Sequence, residues 1–171
     1  MRQDKLRRLA RGLDATAREI QMRIQEQERI AQLRRAAAVE LHTVCLNFVR
    51  SVNALTTEVK LELAPPDYTE AMFRDPGPNL IQMSASGRIV QLAFQSSEPL
   101  VSTEFFQTPY VLEGEARWFN QESLEGLGIR EHLLFYCMER SRQYWTYFDP
   151  QTHRKGLIDE DYLADLFEEL L

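Results

Sequence analysis

The chain of 171 residues carries 20 Lys or Arg against 26 Asp or Glu, is 44% hydrophobic and contains two cysteines. These proportions exclude a disordered chain and a disulfide-dense scaffold. No apolar run approaches the roughly 18 to 20 residues that would cross a bilayer, so no membrane role is expected.

Charge is segregated along the chain. Residues 1–35 hold ten Lys or Arg against five Asp or Glu, whereas residues 36–171 hold ten against twenty-one. A positive stretch followed by a negative body can steer toward an acidic partner, nucleic acid included, or toward the acidic part of another copy. Arg7, Arg8, Arg11, Arg34 and Arg35 are the candidate contacts for such an anionic partner. The first twenty residues are basic but lack the apolar core of a secretory signal, so cleaved export is not expected. Cys45 and Cys137 show neither CxxC spacing nor a surrounding cluster. Both are read as small buried hydrophobes in a protein of the reducing cytoplasm.

Residues 14–64 form a run of 51 without Gly or Pro, rich in Ala, Leu, Glu, Arg and Gln, which predicts one long helix. Such a helix would measure about 75 Å, against about 35 Å for a body built from the roughly 105 residues that follow. Part of it is therefore expected to project or to find a partner. Gly12 marks a bend or a helix start, with Asp14 a candidate N-cap. Leu6, Leu9, Leu13, Ala17, Ile20 and Ile24 recur at spacings of 3, 4, 4, 3 and 4, a narrow apolar stripe. Among them Leu6, Leu9, Leu13, Ile20 and Ile24 are the candidate self-association residues. Between 39 and 55 the apolar residues spread over a much broader face, suited to packing on a sheet.

Pro65, Pro66, Pro76, Gly77 and Pro78 break both helix and strand patterns. Strands are expected after them. Residues 80–85 and 88–94 flank Ser86-Gly87, and a two-residue turn there opposes Met83 to Val90, Ile81 to Leu92 and Gln82 to Gln91. A third strand is read at 100–106. A fourth, at 110–119, would place Tyr110, Leu112, Ala116 and Trp118 on one face and Glu113, Glu115 and Arg117 on the other. Residues 133–138 are apolar on both faces, as a central strand requires, and 143–148 return across a turn at 140–142. The chain closes with a helix over 159–171, N-capped by Asp159 and stapled by Ile158 on Leu163.

The expected fold is α+β: a long N-terminal helix, an antiparallel meander of five to six strands and a C-terminal helix packed on the sheet. Its layout would be a helix over 1–63, with 1–29 a projecting basic arm and 30–63 packed on the sheet, then a Pro-rich linker at 64–78 and the sheet with its helix at 79–171.

Chemistry leaves a fainter trace. Glu113 and Glu115 share a face, yet Arg117 continues the row, which reads as a charged solvent-facing strand. His42 and Cys45 lie three apart on the long helix, short of the three or four ligands a zinc site needs. Asp159, Glu160 and Asp161 are accounted for by capping and the helix dipole, and the polar loop at 149–156 by the needs of a connection. No catalytic, cofactor-binding or metal residue is assigned, and no enzyme is expected. The residues point instead to a helix-mediated dimer whose sheet holds a protein partner, with a nucleic-acid-associated factor using the basic stretch as the alternative.

Overall fold

The computed structural model describes residues 2–101, 106–123 and 129–171. Contacts divide the chain into two units, Met1–Leu33 and Arg34–Leu171. Helix α1 (Arg2–Leu55) forms the first unit and continues into the second. Gly12 neither bends nor starts it. The Gly12 carbonyl accepts from the Thr16 hydroxyl at 2.9 Å, and a lone glycine costs about 1 kcal/mol, too little to interrupt a run of strong helix formers.

The helix ends at Leu55, short of the expected 63. Thr56, Thr57 and Val59 bring a β-branched cluster, which disfavours helix. Tertiary bonds complete the stop. Lys60 donates from Nζ to the Asn53 and Thr56 carbonyls at 2.6 and 2.8 Å, taking up backbone acceptors that the helix end leaves open. The Asn53 side chain also pairs with both backbone groups of Leu61, at 2.7 and 2.9 Å.

The chain then forms seven strands: β1 (Glu62–Ala64), β2 (Asn79–Ala85), β3 (Arg88–Val101), β4 (Tyr110–Asn120), β5 (Arg130–Met138), β6 (Gln143–Phe148) and β7 (Lys155–Leu157). Each pairs antiparallel with the next, giving one sheet in sequence order, and helix α2 (Glu160–Glu168) closes the chain. The α+β class is as expected, with seven strands rather than five to six. The additional strands, β1 and β7, are three-residue edges, too short to carry a readable alternation.

The β2–β3 hairpin has the expected register, with Met83 opposite Val90, Ile81 opposite Leu92 and Gln82 opposite Gln91. Ser86 and Gly87 both have positive φ, 48° and 78°, as a type I′ turn requires. Of the separate third strand expected at 100–106, residues 100–101 are instead the far end of β3, where Val101 pairs with Tyr110. Residues 102–105 lie outside the described residues.

One sheet face carries Ile81, Met83, Val90, Leu92, Phe94, Leu112, Leu134, Tyr136 and Trp145, all buried. Against it lies the second half of α1, where Ala37 and Ala38 are fully buried and allow close approach. There Trp145 donates its indole N–H to the Ala37 carbonyl at 2.8 Å and Tyr136 its hydroxyl to Glu40 at 3.1 Å. Burial raises the Glu40 carboxyl above its ordinary pKa. The opposite face has a smaller aromatic core of Phe106, Tyr110, Phe135, Cys137 and Phe148, with Phe106 stacked on Phe135 at 4.3 Å.

Tyr110 does not share a face with Leu112 as its spacing suggested. Register shifts separate Tyr110 from Leu112 in the β4–β5 ladder and Ser96 from Val101 in the β3–β4 ladder. An extra residue in one strand reverses the side chains beyond it, which delivers Tyr110 to the second core. At these irregularities Arg34 reaches in from α1, donating from Nε to the Val111 carbonyl at 2.9 Å and from Nη2 to the Ser97 carbonyl.

Two substitutions test this packing. Gly114 pairs with Phe94 on one side and Leu134 on the other, and a Cβ there would sit 2.0 Å from the Ala93 carbonyl oxygen and 2.8 Å from Phe94 Cα. Gly114→Ala should cost on the order of 2 to 3 kcal/mol, as forced overpacking does, read as a lower urea midpoint. Arg34→Met keeps the aliphatic stem but leaves both carbonyls without their charged donor, and should cost on the order of 3 kcal/mol in the same measurement.

Candidate functional site

Titratable side chains converge on an open cleft of about 690 Å³ lined by Trp118, Arg130, His132, Asp149, Gln151 and Glu169. Four elements supply them: the end of β4, the start of β5, the β6–β7 loop and the end of α2. His132 is their centre. Its ring lies 4.7 Å from Trp118, 5.2 Å from Tyr147 and 5.9 Å from Tyr162, centroid to centroid. Nδ1 is 3.0 Å from the Tyr162 hydroxyl and Nε2 is 3.7 Å from an Asp149 oxygen.

With Nδ1 accepting from Tyr162, Nε2 carries the proton and faces the carboxylate. Burial lowers the His132 pKa, while Asp149 and Glu169 pull in the opposite direction. The Asp149 carboxyl is held below its usual range chiefly by the Thr152 hydroxyl, which donates at 2.6 Å, with the Gln151 amide adding a bond at 2.9 Å. Burial drives the Tyr162 phenol well above its ordinary value, so it remains protonated. A second knot closes the rim: Trp118 Nε1 donates to Glu169 at 2.8 Å, and Arg130 binds the same carboxylate oxygen.

These groups answer one another. Both His132 nitrogens face internal partners, and among the described residues no group of three or more His, Cys, Asp or Glu is placed to hold a metal ion. The contacts across the cleft tie α2 to the sheet through polar and aromatic groups. Sequence reading missed it because its members are scattered from 118 to 169 and only the fold assembles them.

Most of the other residues in which sequence suggested chemistry are accounted for by local packing or bonding. Glu113 and Glu115 line a hollow of about 480 Å³ on the second sheet face, and Glu115 is bonded to Arg117 at 2.6 Å. His42 Nε2 lies 2.8 Å from the Pro65 carbonyl and its ring stacks on Tyr68 at 5.6 Å. Asp159 caps α2, accepting from the Tyr162 amide at 2.9 Å. Cys45 and Cys137 are buried and free, with burial pushing each thiol up to about 12, which makes them poor nucleophiles at neutral pH.

On α1, residues 3–29 are exposed throughout. Leu6, Leu9, Leu13, Ile20 and Ile24 are each 43–61% exposed, and Arg7, Arg8 and Arg11 lie on the same stretch. Arg34 belongs elsewhere. Only 12% of its side chain is exposed, and Asp75 lies 3.8 Å from its guanidinium, so its charge serves the sheet rather than an external anion. Arg35 is half-buried.

Because the folded pKa of His132 lies below the ordinary imidazole value of 6.5, the unfolded chain binds more protons between the two values. Its contribution to stability is complete above 6.5 and is lost as pH falls through the folded pKa. Urea unfolding from about pH 7.5 to about pH 5 should therefore fall more steeply for the wild type than for His132→Gln, and equal slopes would remove the linkage. No family model, curated protein or solved structure matches this chain.

Proposed function

We propose that this protein is a non-enzymatic interaction module that forms a dimer through the first part of α1 and holds a protein partner on its sheet. The observation that carries the reading is the stripe of five large apolar side chains left 43–61% exposed on one helical segment. A contiguous apolar surface on an otherwise charged helix favours a partner. Its narrowness suits another helix better than a sheet or a membrane surface, and among the described residues no helix is long and apolar enough to cross a membrane.

The second sheet face supplies the complementary feature. It offers the hollow beside Glu113 and Glu115 together with Leu133, which is partly exposed. Two free, buried cysteines are in keeping with a reducing cytoplasm. The alternative, a nucleic-acid-associated factor, is favoured by the five basic residues against one acid at positions 2–11 and predicts binding to generic duplex that weakens steeply with salt.

Light scattering on the full chain tests the first reading. The expected mass is twice the 20.0 kDa of one chain, and the double variant Leu13→Glu, Ile20→Glu should return to the single mass while its circular dichroism retains the helical signal. Glutamate is a good helix former, so loss of the dimer would report the stripe rather than the helix. A monomeric wild type at micromolar concentration would reject self-association.

A further inference from the structure

We propose that the two copies pair with their α1 helices antiparallel, centred near residue 15, so that Leu6 of one copy lies opposite Ile24 of the other. This rests on the self-association proposed above and adds its orientation. Charge distribution along the stripe is the first argument. Residues 2–11 carry five basic groups and one acid, whereas residues 19–28 carry one basic group and three acids. A parallel pair would set the basic segments against each other; the antiparallel pair sets each against the acidic segment of the other copy. Arg11 then approaches Glu19.

The apolar spacing provides a second argument. Leu6, Leu9 and Leu13 are followed eleven residues later by Ala17, Ile20 and Ile24. An eleven-residue repeat avoids the left-handed supercoil that a heptad imposes. Reversed about its centre, the stripe superposes Leu6 on Ile24 and Leu13 on Ala17, with the remaining positions displaced by one residue. It is thus nearly its own complement, as a two-fold interface requires. Small Ala17 opposite larger Leu13 lets the helices approach closely at the middle.

Single cysteines at Gln3 and Gln27, both exposed polar positions, report the orientation without altering the stripe. Buried Cys45 and Cys137 should remain silent, and the wild type is the control for this. Gln3→Cys and Gln27→Cys chains, one carrying a mass tag, are mixed and treated with a short bis-maleimide. The mixed cross-link should exceed either like-with-like product by roughly tenfold. Predominance of like-with-like products would establish a parallel pair and overturn this inference while leaving the dimer. A dimeric mass with no cross-link would place the interface elsewhere and also overturn it, and a monomeric mass would remove the underlying reading as well.

Discussion

The sheet depends on a single guanidinium placed where its hydrogen-bond ladders lose register. Strands β3, β4 and β5 cannot remain in uniform register and also send Tyr110 to the second core, so the ladder shifts on both sides of β4. Shifts of this kind release backbone carbonyls, and a carbonyl left without a donor in a buried place costs about 1 to 3 kcal/mol. Arg34 binds the Ser97 and Val111 carbonyls together. Its planar fork presents several donors at a fixed angle, which the point charge of a lysine cannot reproduce. The same contact anchors the second half of α1 on the sheet, so irregular pairing and helix docking become one event.

The His132 cluster has the corresponding role for α2. This helix spans only Glu160–Glu168, too short to persist without tertiary support. Asp159 closes its start, and Leu163 and Leu166 bury its apolar side. Its C-terminal end is held by Arg88, which donates to the Leu170 carbonyl at 3.0 Å, and by Trp118 and Arg130 through Glu169. Cations at that end also complement the helix dipole. Tyr162 stacks on Tyr147 at 4.3 Å and meets His132, so the middle of the helix is fixed by rings and its two ends by polar groups.

What could be read from the sequence was local. The β2–β3 hairpin was legible because a two-residue turn and the polarity of both faces agree on one register. The Asp159 cap was legible because it needs only its own first turn. The end of α1 was harder: the β-branched cluster hints at it, but Lys60 and Asn53 complete the stop through contacts visible only after folding. Arg34 looked like one more member of a basic run, since nothing in its neighbours distinguishes a charge directed into a sheet from one directed into water. Of the His132 cleft only the polar loop at 149–156 stood out, and it read as a connection, because the other parts come from separate elements and none has a motif spacing.

The two parts of α1 pose different physical problems. From Ala37 onward the helix is stabilised by burial against the sheet, whereas residues 3–29 have exposed side chains throughout. Their local support includes the ion pairs Arg23–Glu19 and Arg29–Glu26, which add little because both partners are exposed to water. A helical segment in water without a packed face is marginal even when its residues favour helix. On the reading proposed here, a second α1 supplies the missing face. The antiparallel arrangement does so while turning the excess positive charge of residues 2–11 from a repulsion between copies into an attraction, which links the charge segregation of the chain and its apolar stripe to one interface.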